Sequence, residues 1–234
     1  MKLYKLTDEH DQTYNQTQWG ENVTHTVNGE CELCGPGWIH AYTDPLLAVL
    51  FNSIHTNFVN PHLWEAEGEI GKTDHGLKVG CTRVTTLTRM ALPVIMMDQR
   101  VRFAILCAKH VCGDTAWNRW ADDWLSGKDR AARAAAAAAD AAMRAAEAAD
   151  VTTWAATWTA TWAADAAMWA AQTAAWSAAD VAMWAVWSAA RAAQAAWSAA
   201  DAAGAAATAE TDIDLIAIAH EAVNEPTKAN GETE

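Results

Sequence analysis

LWEAEGEI, residues 63–70, decides how the first half of this chain is read. Leu63, Glu65, Glu67 and Glu69 alternate with Trp64, Ala66, Gly68 and Ile70. A period of two sends successive side chains to opposite faces. The stretch therefore predicts a half-buried β-strand with its carboxylates on one face. Its neighbours read the same way. LKVGCTRVTTLTRMAL (77–92) is rich in Val and Thr and predicts one or two further strands. KLYKLT (2–7), NVTHTV (22–27) and WIHAYT (38–43) predict shorter ones. WIHAYT ends at Thr43-Asp44-Pro45, a capping residue followed by proline at the first helical position. LLAVLFNSIHTNF (46–58) then has helical spacing, until Asn60-Pro61 breaks it. MMDQRVRFAILCAKHV (96–111) predicts an amphipathic helix. DTAWNRWADDWLSG (114–127) predicts a second, capped by Asp114 and stopped by Gly127, with Trp117, Trp120 and Trp124 three and four apart. The expected fold class is α+β: a small mixed domain over 1–95, then two connecting helices over 96–127.

Beyond Gly127 the composition changes abruptly. Residues 128–209 are mostly Ala, with tryptophans set three, four or seven apart in TWAATWTATWAADAAMWAAQTAAWSAAD (153–180). No Pro or Gly interrupts 130–203. Alanine is the strongest helix former, so this region predicts helix, packed as a bundle or by coiled-coil-like self-association. Unbroken it would run roughly 110 Å; Asp150 is the natural place for a new cap and a fold-back. At 100° per residue Trp154, Trp158, Trp162, Trp169, Trp176, Trp184, Trp187 and Trp197 fall on one broad stripe, together with Asp165, and Asp180 stands within the run. The opposite half is almost wholly Ala, Ser and Thr. A buried Trp removes about 150–250 Å² from water, and eight left bare would far exceed the apolar patch a monomer carries. Self-association through these residues, with Asp165 and Asp180 setting register, is the expectation. IDLIAIAHEAV (213–223) predicts a short helix within 210–224, and 225–234 reads as a disordered polar tail.

Composition narrows the function classes. The chain has 234 residues and a net charge of −13. Lys and Arg clusters that would neutralise phosphates are missing, which disfavours a nucleic-acid partner. Between Asp150 and Asp180 the uncharged runs are only fourteen residues long, too short to span a bilayer. MKLYKLTDEHDQ lacks the apolar core of a signal peptide, and five cysteines, an odd number, suit a reducing cytoplasm.

Two constellations in the first domain bear on chemistry. Cys31-x-x-Cys34 is half of a zinc site; His25, His40 and the Cys107…His110…Cys112 cluster are the residues that could complete it. The same CxxC could be a redox pair, but its flanks lack the βαβ context, and the plain reading is two thiols beside a Gly-Pro-Gly turn. No cofactor or metal is expected. Glu65, Glu67 and Glu69 crowd one strand face, with His40 on a strand candidate expected alongside. Crowded carboxylates can serve as acid or base, although such a face is more often simply solvated.

LYKLTD, ELCGPGWIHAYTDPLLAVLF, LWEAEGEI and HGLKVGCTRVTTL together resemble an uncharacterised domain family of tailed-bacteriophage proteins, many of which carry repetitive tails, Ala-rich in some. The chain departs from that pattern at Cys34-Gly-Pro-Gly-Trp-Ile-His40, where a residue is inserted or the alignment shifts. The resemblance covers about residues 1–127 and implies a role in the cytoplasm of an infected bacterial host, but no activity. A more distant likeness, to ADP-ribosyltransferase-like folds, would use His40 with one of Glu65, Glu67 or Glu69. Three functions follow as expectations. The first is a non-enzymatic assembly protein that forms homo-oligomers. The second is an ADP-ribosyltransferase-like enzyme or nucleotide-binding protein. The third is a sequestering inhibitor that binds a host defence protein.

Overall fold

The computed structural model describes residues 1–73, 76, 78–109, 115–131, 134, 137–138 and 214–224. The Ala/Trp region beyond 138, with its expected self-association residues, lies outside these, as do Asp114, His110 and Cys112. Met1–Val94 together with Asp214–Ile216 forms one compact unit, and Ile95–Ile213 with Ala217–Glu234 a second. The class is α+β.

The first unit is an antiparallel sheet. Its strands are β1 (Lys2–Thr7), β4 (Val23–Thr26), β5 (Ile39–Ala41), β6 (His62–Thr73) and β7 (Val79–Met90), while β2 (Gln12–Thr13) and β3 (Thr17–Gln18) form a separate two-stranded sheet. β1 pairs with β6, and β6 with β7 over most of their length. The far edge of β7 is shared end to end: Arg83–Thr86 take β4 and Val79–Cys81 take β5. β1 then meets the residue after β5, through a bridge between Tyr4 and Tyr42. The sheet thus returns on itself in the order β1-β6-β7-β5-β1. Such curling needs local bends, and the β6–β7 register shifts at Glu65/Ala66, Glu69/Ile70 and Ile70/Lys72 supply them.

Alternation places Leu3, Ile39, Ala41, Ala66, Val79, Cys81 and Val84 in one buried cluster. Trp19 joins them from the loop that follows β3, because residues 8–20 turn back onto the sheet. This turn is held by Asp8, whose Oδ1 accepts from the His10 and Gln12 amides at 2.9 and 2.7 Å. The outer side of the seam is covered by α1 (Pro45–Leu50) and α2 (Asn52–His55). Asp44 caps α1 as the sequence predicts: its Oδ1 accepts from the Leu46 amide at 2.8 Å, with Pro45 at the first turn. The single helix expected over 46–58 is instead two, parted at Phe51.

In the second unit, α3 (Met97–Lys109) and α4 (Thr115–Leu125) pack together, with Trp117, Trp120 and Trp124 buried. Gln99 serves two ends at once. Its Oε1 accepts from the Met96 amide at 2.7 Å, capping α3, and its Nε2 donates to Val223 O at 2.9 Å in the last turn of α5 (Leu215–Asn224). α4 stops where expected. Gly127 adopts φ +77, its amide reaches Trp124 O, and the Lys128 amide reaches Asp123 O, the paired bonds of a Schellman ending. Among the described residues no helix is long and apolar enough to cross a membrane.

Candidate functional site

The segment Gly29–Trp38 lies against the β6–β7 ladder and carries the CxxC pair. Two glycines make room for it. A Cβ on Gly71 would fall 2.4 Å from the Trp38 ring, and one on Gly80 2.3 Å from Leu33 Cδ1. The segment is fixed by hydrogen bonds to its carbonyls. Cys31 O accepts from Trp38 Nε1 and from Lys72 Nζ, both at 3.0 Å. Leu33 O accepts from His40 Nε2 at 2.5 Å, so that nitrogen carries the proton. The Gly35 amide closes a turn on Glu32 O at 2.8 Å. Lys72 also lies over the Trp38 ring, 5.7 Å from its centroid.

Both sulfurs on this loop are exposed, whereas Cys81 and Cys107 are buried. Burial pushes the Cys81 thiol up to about 11, and Cys107 upward as well, so both stay protonated and inert. Lys78 Nζ lies 3.4 Å from Cys34 Sγ. Close by, Tyr42 Oη and His55 Nδ1 are hydrogen-bonded at 2.9 Å, and His55 stacks on Phe51. Burial first, then the positive charges of Lys78 and His40, lower His55 to about 3. Burial also raises the Tyr42 hydroxyl. Two uncharged groups, the Tyr42 hydroxyl and the His55 ring, thus lie near Lys78 and His40.

A second polar cluster gathers on Asp11, which stands at φ +59. Its Oδ1 accepts from His62 Nδ1 at 2.8 Å and from Trp64 Nε1 at 3.1 Å, and its Oδ2 takes Arg89 Nη2. Arg89 faces Trp64 across the ladder and lies 5.1 Å over its ring. A third polar group sits among the core residues. Lys5, on the Leu3 side of β1, donates to His40 O at 2.6 Å and lies 5.1 Å from the Trp19 ring. Burial lowers its ammonium to about 8.

The carboxylates expected beside His40 are elsewhere. His40 sits on β5, whose ladder partner is β7, not β6. It stands level with Gly80 and Lys72, while Glu69, the nearest of the three in register, stands level with Arg83. Glu65 is paired with Lys2 at 3.1 Å, and Glu69 lies 3.9 Å from Arg83. Glu67 is exposed. The three therefore form a solvated face neutralised by neighbouring strands, and His40 belongs to the cysteine loop. Of the residues proposed to complete a zinc site, His25 instead lies against Trp19 and bonds Gln18 O at 2.8 Å. Among the described residues no group of three His, Cys, Asp or Glu is placed to hold a metal ion.

Sequence reasoning missed Lys5, Asp11, Lys72, Lys78 and His55. Asp11 had a signal in Asp8-x-x-Asp11, two turn-forming acids in a row, and Lys72 and Lys78 flank the β6–β7 turn. Lys5 and His55 had none, because each is defined by what closes over it. Comparison with protein-family models, with curated proteins and with solved structures finds no match.

Proposed function

We propose that this chain is a non-enzymatic, phage-type assembly or interaction protein, in which residues 128–209 drive self-association and the first unit is displayed on the assembly. The observation that carries the reading is the stripe of eight tryptophans from Trp154 to Trp197 on one side of an Ala-rich helical pattern. Burying each contributes roughly 4–6 kcal/mol as an upper bound, at about 25 cal/mol per Å². The first unit supports the reading because it fills its core with its own residues, from Leu3 to Val84. Its carboxylate face, with Glu65 and Glu69 beside Lys2 and Arg83, suits a solvated exterior more than an acid–base site.

The test is sedimentation velocity on the full chain, beside a variant carrying Trp158→Ala, Trp169→Ala and Trp176→Ala. The expected result is an oligomer that dissociates on substitution, with the far-UV spectrum of the sheet retained. A full chain that sediments as a monomer, with its tryptophan fluorescence open to aqueous quenchers, overturns the reading.

A further inference from the structure

We propose that Cys31 and Cys34 form a redox-active dithiol that exchanges with small disulfides, with Cys34 as the attacking sulfur. The proposal is independent of the assembly reading and rests on the loop itself. Surface loops are as a rule more mobile than the elements they connect. Here Cys31 O holds two donors, Leu33 O holds the His40 imidazole, and a turn closes from Glu32 to Gly35. What this framework presents to solvent is the two thiols, while Cys81 and Cys107 are sealed in apolar surroundings.

The two sulfurs are not equivalent. Cys34 Sγ has the Lys78 ammonium at 3.4 Å, whereas no such contact is seen at Cys31 Sγ among the described residues. A thiolate is the attacking species in disulfide exchange, and a nearby cation favours it. Cys31 is held at φ +74, and its sulfur is folded back over the residue after Cys34. A Cβ on Gly35 would lie only 2.4 Å from Cys31 Sγ. Glycine at 35 thus leaves the space that the Cys31 sulfur occupies, one residue on from Cys34.

The chemistry runs in two steps. The Cys34 thiolate attacks one sulfur of a small disulfide, forming a mixed disulfide and releasing one thiolate, which takes a proton from water. Cys31, deprotonated, then attacks Cys34 Sγ, closing the Cys31–Cys34 bond and releasing the second thiol. The chain loses two electrons and two protons, and the disulfide gains both. A bridge between Cys31 and Cys34 requires their Cα atoms to come within about 7 Å.

The full chain is equilibrated in buffers of oxidised and reduced glutathione, quenched with an alkylating agent, and mapped by peptide mass. The expected result is a single two-electron transition, in which the peptide holding Cys31 and Cys34 loses two hydrogens. Cys31→Ser should stop at glutathione on Cys34. In a timed quench after oxidised glutathione is added, Cys34→Ser should leave Cys31 uncaptured on the timescale of the parent chain, and Lys78→Met should slow capture by roughly ten-fold. Equal reactivity of Cys31 and Cys34, or glutathione accumulating on both without a bridge, overturns the proposal.

Discussion

Tyr4 and Tyr42 exchange both of their backbone hydrogen bonds, Tyr4 N–H to Tyr42 O at 2.8 Å and Tyr42 N–H to Tyr4 O at 2.9 Å. This one pair turns a sheet with a free β1 edge into a ring. An open edge invites pairing with other chains, so the closure has a protective value out of proportion to its size. It is backed on the outside by Leu46, Leu47 and Leu50 of α1, all buried. Hydrogen exchange tests it directly. The Tyr4 and Tyr42 amides should exchange as slowly as those in the middle of the β6–β7 ladder. Rates typical of a solvent-exposed edge would show that the ring opens.

Lys5 spans the same seam from within, and it does so at a cost. Its ammonium is lowered from 10.5 to about 8 by burial. A lowered lysine means that the unfolded chain binds the proton more tightly than the fold does. Below pH 8 both states are charged and the fold carries the full penalty, at most about 3 kcal/mol; between pH 8 and 10.5 the penalty fades. The hydrogen bond to His40 O and the Trp19 ring offset part of it. Lys5→Met should therefore stabilise the chain by about 1–2 kcal/mol at pH 7, and the gain should shrink as pH rises through 8 toward 10.5. Urea melts at pH 7 and pH 10 decide the matter, and a destabilised variant at pH 7 would refute it.

The strands were legible because their signal is local. LWEAEGEI alternates in sequence as it does in the sheet, and Asp44-Pro45 caps a helix using only its own neighbours. What stayed hidden was non-local. Nothing in KLYKLT says that Tyr4 will meet Tyr42. Nothing in WIHAYT says that it pairs with β7, so the alternation alone sets His40 beside β6 and its three glutamates, where the fold does not put it. The cysteine loop was legible as a motif but not as a site. Its meaning depends on Lys72, Lys78 and His40, which lie six to forty-seven residues away in the chain and are gathered only by the β5–β7–β6 register. Hydrophobic periodicity carries no such information.

His55 should make stability fall in mild acid. Its pKa is lowered from 6.5 to about 3, chiefly by burial and further by the charges of Lys78 and His40. The folded chain keeps the ring neutral while the unfolded chain takes up a proton below pH 6.5. The contribution is fully present above 6.5 and is lost as pH falls toward 3. At pH 5 the loss is about 2 kcal/mol. His55→Gln cannot titrate, so its stability should change less between pH 7 and pH 5 than that of the parent chain by about this amount. Identical slopes in the two proteins would rule out His55 as the source.

Asp11 is the residue whose loss should be felt most widely for its size. One carboxylate holds the His62 imidazole, the Trp64 indole and the Arg89 guanidinium, and its own carbonyl accepts the Trp19 amide at 2.8 Å. It thereby ties the 8–20 turn to the first residues of β6 and the last of β7. Asn tolerates the left-handed backbone at this position, so Asp11→Asn isolates the charge from the conformation. The amide keeps one acceptor but turns a donor toward Arg89, taking the counter-charge from an exposed cation while His62 and Trp64 lose a charged acceptor. A loss of about 1–2 kcal/mol is expected. Because Arg89 also rests on the Trp64 ring, a single substitution cannot apportion the effect. The double-mutant cycle of Asp11→Asn with Arg89→Gln should give a coupling of about 1–2 kcal/mol in denaturant melts. A coupling near zero would mean that Asp11 acts through His62 and Trp64 alone.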